Sequence, residues 1–274
     1  MVQRFTVIQG GLSGAPAAIP ATIPGPAADA AWRVDLQGPG GVDDGAVLAW
    51  RALMTREGVS DPLRDPDYLL PLARHRAGGR RVALALAWSR DADGPETLRG
   101  VVPLALPHPV LGRSARTWRP AEAGATALVD GAAPASVEGA LRGRLRGMRR
   151  PLRLVGGLDG VPARGPRGPV PAAAFVGVRP EGWTPPAQAE VAVAAEPAAV
   201  RDAVETLLAL DARTAKAPIV ADPSEASLVR VVSRLFARRR ACRVEIFRRA
   251  GEVVAGALHL GSGPAAVLWR RAGA

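Results

Sequence analysis

From Val82 to Trp88 the chain alternates Val82, Leu84, Leu86 and Trp88 with alanine alone between them. A period of two predicts a strand, and apolar residues on both faces predict one covered on both sides. The flanking segments have other periods. "WRVDL" predicts a short strand from Trp32 to Leu36. Asp43 and Asp44 then offer caps to a helix with Val47, Trp50 and Met54 on one face and Gly58 beyond its end. "DPDYLLPLARHRAGG" predicts a second helix, capped by Asp65, opened by Pro66 and followed by Gly78, with Pro71 expected to kink or shorten it.

After the turn "SRDADGPE", "TLRGVVPLALP" reads as the partner strand, and Pro103 inside it marks an edge, a bulge or a splayed position. A weaker strand follows at Ser114 to Trp118, with "TALVD" at 126–130 continuing it. Val137, Leu141, Leu145 and Met148 then line a helix, and "PLRLVGG" at 151–157 gives another strand. Residues 159–187 are rich in Pro and Gly and are expected to be a linker, and residues 1–28, equally rich, a disordered leader.

Past the linker the order begins again. "EVAVAA" at 190–195 is a strand, and Pro197 opens a helix with Val200, Val204 and Leu208 on one face. Asp222, Pro223 and Glu225 form the start of the next helix, whose stripe is expected at Leu228, Val231 and Leu235. "CRVEIF", "VVAGALHL" and a last strand from Ala265 to Trp269 complete a meander. The expected class is therefore α/β (α+β), mixed sheets flanked by helices, in two halves at 29–158 and 188–274.

Composition narrows the function classes. No stretch reaches the roughly 18 unbroken apolar residues of a membrane span, and the first residues lack a secretory signal pattern, so a cytoplasmic protein is expected. Cys242 is the single cysteine, which excludes an intrachain disulfide and a thiolate metal site. The net charge of +11 invites an anionic partner. Yet asparagine is absent, Lys216 is the one lysine and arginine dominates, the usage of a GC-rich coding sequence. The arginines cluster only in "LRGRLRGMRR" and "ARRRACR", each at a predicted helix end, where cations favour the helix dipole. Nucleic acid is thus not the expected partner.

Strand, two helices, a three-stranded meander, helix and strand is the element order of the GNAT acyltransferase fold. Two copies in tandem resemble its FemAB-like branch. "AWRAL" at 49–53, "DPLRDPDYLLPLARH" at 61–75, "LRGVVPLAL" at 98–106, "LLALDARTAKAP" at 207–218 and "VEIFRRAGEVVAGALHLGSGPAAVLW" at 244–269 resemble the CelD-type proteins of cellulose and exopolysaccharide biosynthesis. The resemblance implies tandem GNAT-like domains, acetyl-CoA or another acyl-CoA as cofactor, and a sugar, amine or polysaccharide precursor as acceptor. Ala215, Lys216 and Ala217 stand where that family usually has Trp-Lys-Gly, and prolines stand where it has a basic helix between the halves. It also implies a further helix and strands past the last strand, which "RRAGA" does not supply. The second domain is therefore expected to be C-terminally truncated, with a strand edge able to pair with another chain.

Acyl transfer needs a group that deprotonates the acceptor. Glu245 is the candidate base, its other reading being an outward polar residue between Val244 and Ile246. Lys216, at the family's lysine position, is a candidate contact for an anionic group, or a solvated loop lysine. His259 either faces a cleft or packs at a strand end. His75 and His108 have no partners at metal-ligand spacing, and "GSG" is explained by a turn. Two further functions stay open beside the acyltransferase: a non-catalytic relic or interaction module, and a FemAB-like binder of aminoacyl-tRNA.

Overall fold

The computed structural model describes residues 30–75, 81–90, 94–108, 112–120, 126–158 and 186–273. The expected leader and almost all of the expected linker lie outside them. The first half runs β1 (Ala31–Gln37), α1 (Asp44–Arg56), α2 (Pro66–His75), β2 (Arg81–Arg90), β3 (Thr97–Leu106), β4 (Ser114–Thr117), β5 (Leu128–Val129), α3 (Pro134–Arg146) and β6 (Arg153–Val155). The second runs β7 (Glu190–Ala194), α4 (Pro197–Thr214), α5 (Pro223–Arg238), β8 (Cys242–Arg249), β9 (Glu252–Leu260) and β10 (Val267–Gly273). The protein is thus a mixed α/β fold with two sheets and, among the described residues, five α-helices.

The predicted caps form. Asp43 accepts from the Ala46 N–H at 2.7 Å, Asp222 accepts from Ser224 at 2.8 Å, and Asp65 accepts from Asp67 at 2.8 Å, each meeting an amide that a helix start leaves without an internal partner. Gly58 takes φ +64° just past α1, a conformation that costs glycine nothing. α2 continues through Pro71 to His75, and Tyr68, Leu69 and Leu72 on either side of the proline are fully buried. One helical expectation needs correction. On α5 the buried stripe is Leu228, Val229, Val232 and Phe236, while Val231 and Leu235 lie at its margin.

The first sheet is ordered β1-β2-β3-β4-β6, antiparallel until the last pair, where β4 and β6 run parallel. Such a pair needs a crossover, and α3 supplies it. Val82, Leu84 and Leu86 of β2 face α1 and α2, whereas Ala85 and Ala87 face α3, so the strand is covered on both sides as its sequence predicts. Alanine suits the α3 side because that helix lies close. At Gly100 a Cβ would sit 2.6 Å from Val137 Cγ1, which fixes glycine where sheet and helix touch.

Pro103 lies at a break in the sheet. β4 pairs with Leu104 and Ala105, and β5 with Gly100 and Val101, so the two form one interrupted strand along β3. The Pro103 carbonyl accepts from Trp118 N–H on that side at 2.8 Å. A strand residue points its N–H and C=O the same way, so the donor that proline lacks faces the interruption, where no ladder partner is lost. This is the splayed alternative.

The second sheet is β10-β9-β8-β7, antiparallel throughout. α4 and α5 cover one face through Val204, Leu207, Leu228 and Val232 against Val244, Ile246 and Leu258. The last strand extends to Gly273, beyond the expected Trp269, and a bulge at Trp269 lets Trp269 and Arg270 share the helix side. Trp269 meets Tyr68 edge to face at 5.7 Å. One apolar cluster therefore runs through both halves, with Trp50, Tyr68 and Leu72 beside Phe236 and Leu260. Full burial of each such side chain contributes roughly 1.5–3 kcal/mol.

Candidate functional site

β8 and β9 pair with Arg243 opposite His259 and Glu245 opposite Ala257. Because side chains alternate, Val244, Ile246 and Leu258 turn to the helices while Arg243, Glu245, Phe247, Ala255, Ala257 and His259 turn to the other face. Leu268 of β10 is the next neighbour of His259 across the sheet. The Ala257 side chain is only a methyl group, so the Glu245 carboxylate can lean diagonally toward the imidazole. Diagonal neighbours on antiparallel strands lie within reach of long side chains.

The result is a three-residue polar row in an apolar face. Glu245 Oε2 lies 3.6 Å from His259 Nε2, and Oε1 lies 3.1 Å from an Arg243 guanidinium nitrogen. His259 is 2% exposed and one residue from the end of β9, so of its two readings the packed strand-end position is the one observed, fully buried where a rim was expected. Both ring nitrogens are shut off from solvent and neither makes a hydrogen bond. At 3.6 Å the carboxylate is too far for one, and an orphaned buried polar group typically costs about 1–3 kcal/mol.

Lys216 does not join it. It is exposed in the loop after α4, on the helix-bearing side of the sheet, with no side-chain partner among the described residues. Its loop is held by buried Asp211, whose carboxylate accepts from the Ile219 N–H at 2.6 Å. The structure thus unites Glu245 and His259 and leaves Lys216 apart. The sequence reading passed over Arg243 because it stood at the end of an arginine run. Its signal was the alternation Arg243, Glu245, Phe247, which sets it on the face of the other two.

Compared with family models, curated proteins and solved structures, the chain matches none.

A second polar cluster occupies the first half. Arg99 is the bulge residue between the Trp88–Leu98 and Ala87–Gly100 pairs and is 1% exposed. Its guanidinium donates to Asp130 at 2.8 Å and to Ser89 Oγ at 3.0 Å. Arg56, at the end of α1, donates to the Leu98 carbonyl at 2.7 Å and approaches Asp130 at 3.4 Å. The other Asp130 oxygen accepts from Ala132 N–H at 2.9 Å. Burial pushes the Asp130 carboxyl up, but hydrogen bonds from Arg99 and Ala132 with the two guanidinium charges outweigh it and leave it below the ordinary range. Burial also lowers the Arg56 guanidinium. An arginine in the apolar run "TLRGVV" was the signal for this cluster.

Between the halves, Arg239 of the second bridges Asp65 at 2.8 Å and Asp67 at 3.2 Å, and Arg51 pairs with Asp67 at 2.8 Å. Arg51, Asp65 and Arg239 border a cleft of about 290 Å³ whose lining includes Ser60, Ser262 and Phe236. Burial and the neighbouring Asp65 charge raise the Asp67 carboxyl despite both arginines. Within the two arginine runs, Arg142 pairs with Glu138, Arg239 with Asp65, Arg240 with Glu196 and Arg243 with Glu245. Among the described residues no group of three His, Cys, Asp or Glu side chains could hold a metal, and no helix is long and apolar enough to cross a membrane. Burial pushes the Cys242 thiol up to about 12, so it is no nucleophile near neutral pH.

Proposed function

We propose that the chain is an acyltransferase of GNAT type that takes its acyl group from acyl-CoA, with the chemistry in the second half. The observation that carries this reading is the parallel pairing of β4 and β6 across α3, directly after an antiparallel meander interrupted at Pro103. GNAT folds splay two parallel strands at the same place in the order. A fold hosts many activities, so the chemistry is argued from the site. Glu245, half-buried beside His259, is the general base that takes the proton from an amine or hydroxyl acceptor as the acceptor attacks the thioester carbonyl. Arg243 keeps Glu245 in place from its other side. An acceptor bearing a hydroxyl or amine, such as a sugar of a polysaccharide precursor, suits this pair.

The first half takes a structural part in this reading. In a GNAT domain the cofactor pyrophosphate rests on amides at the start of the helix after the meander. Here that segment meets carboxylates instead: Gly131 N–H donates to Glu57 at 3.0 Å and Ala132 N–H to Asp130. This favours a second reading, a non-catalytic interaction module, should the second half also lack cofactor binding.

Calorimetric titration with acetyl-CoA, paired with a thiol-release assay on wild type and Glu245→Gln, decides between them. Micromolar binding with turnover lost in Glu245→Gln is the expected result. A folded wild-type chain that binds no acyl-CoA overturns the acyltransferase and leaves the module. Salt-sensitive tRNA binding would be required for the aminoacyl-tRNA alternative.

A further inference from the structure

Among the described residues the two sheets end in four edge strands, β1 and β6 in the first and β7 and β10 in the second. Three carry the devices that keep edges from pairing with other chains. On β1 the body holds Arg33 and Asp35, and Arg144 of α3 donates to the Val34 carbonyl at 3.2 Å. β6 is three residues long, begins with Arg153, and gives its Leu154 carbonyl to Arg142 at 3.0 Å. β10 is bulged at Trp269 and carries Arg270 and Arg271.

Among the described residues β7 has none of these. Its sequence, Glu-Val-Ala-Val-Ala, holds a charge only at its first residue, and it pairs with β8 through all five residues without a bulge. Val191 is 51% exposed and Val193 58% exposed, both on the face that carries Phe247. Two exposed valines on a regular edge are a template for strand addition.

The sequence of β7 also selects its partner. In an antiparallel pair of two β7 strands centred on Ala192, Val191 of one copy lies opposite Val193 of the other, and all four valines share one face. Glu190 then lies opposite Ala194, so the like charges sit at opposite ends of the pair. All five residues are matched, and the two-fold axis makes the contact self-complementary and closed. We infer that β7 joins β7 of a second copy of this chain, fusing two four-stranded sheets into one of eight strands. The edge that associates is accordingly β7, and not the last meander strand.

The test is oxidative cross-linking of the full chain carrying Ala192→Cys, with sedimentation velocity on wild type, Ala192→Cys and Ala192→Cys with Val193→Lys. Opposed Cα atoms in an antiparallel pair are about 4.5–5.5 Å apart, within disulfide range, and buried Cys242 does not compete. A dimer in wild type, near-complete cross-linking of Ala192→Cys, and a shift to monomer with at least tenfold less cross-linking once Val193→Lys is added are expected. Val193 is exposed, so the circular dichroism spectrum should not change. A monomeric wild type overturns the inference and leaves the edge to a different partner. A wild-type dimer that Ala192→Cys does not cross-link overturns it too, by placing the interface elsewhere.

Discussion

Each half of the molecule packs a charged cluster against its sheet, around Asp130 in the first and around His259 in the second, and the two are built to opposite standards. Around Asp130 each carboxylate oxygen is met: Arg99 and Arg56 approach one and Ala132 N–H the other. Around His259 both ring nitrogens lie buried without a hydrogen bond, and Nε2 is 3.6 Å from a Glu245 carboxylate oxygen. A saturated cluster holds its elements together: β3, β5 and the ends of α1 and α3 meet at Asp130. At His259 the two ring nitrogens tie no elements together through hydrogen bonds. The contrast separates a structural ion network from a candidate site without reference to any relative.

The comparison breaks most visibly at Asp130. Asp130→Ala leaves two guanidinium groups buried without their counter-charge and should cost about 3–5 kcal/mol in denaturant unfolding. A loss below 1 kcal/mol would put this cluster in the same class as the other. The same carboxyl gives an acid signature. Its pKa is lowered on folding, so its stabilisation is in full force above the unfolded value near ~3.9 and drains away as pH falls through the folded value. Melting temperature should drop steeply below about pH 4, and Asp130→Asn should flatten that limb.

On the other side, His259→Leu removes the orphaned nitrogens and fills the face with carbon. Stability should stay constant or rise by about 1 kcal/mol while acyl transfer, if present, falls. A drop of several kcal/mol would show that the imidazole is structural after all. The smallest effect is expected at Asp67, between the halves. Its pKa is raised on folding, so protonation favours the native state and the contribution is lost as pH rises through the raised value, the reverse of Asp130. Asp67→Asn should change neutral-pH stability by about 1 kcal/mol or less, toward greater stability, since Arg239 keeps Asp65.

Much of this architecture is legible in local patterns. Period-two runs gave β2 and β3, the Asp caps gave the starts of α1, α2 and α5, and Pro103 announced the break that β4 and β5 share. Misreadings fell where packing overrides local preference. α5 turns its buried stripe toward Phe236 because α2 and the second sheet lie on that side. Glu245 and His259 were both named from sequence, but nothing local joined them. Their meeting depends on the β8–β9 register, in which Glu245 faces Ala257.

What the chain alone determined was therefore the kind and order of its elements, because helix caps, strand periods and turns are interactions between residues a few positions apart. Tertiary structure decided the rest: which strands are edges, which arginines find carboxylates, how one apolar cluster spans both halves, and that His259 lies buried without a hydrogen bond. Those outcomes join residues far apart in sequence, and a register shift of one residue would turn every side chain of a strand to the opposite face.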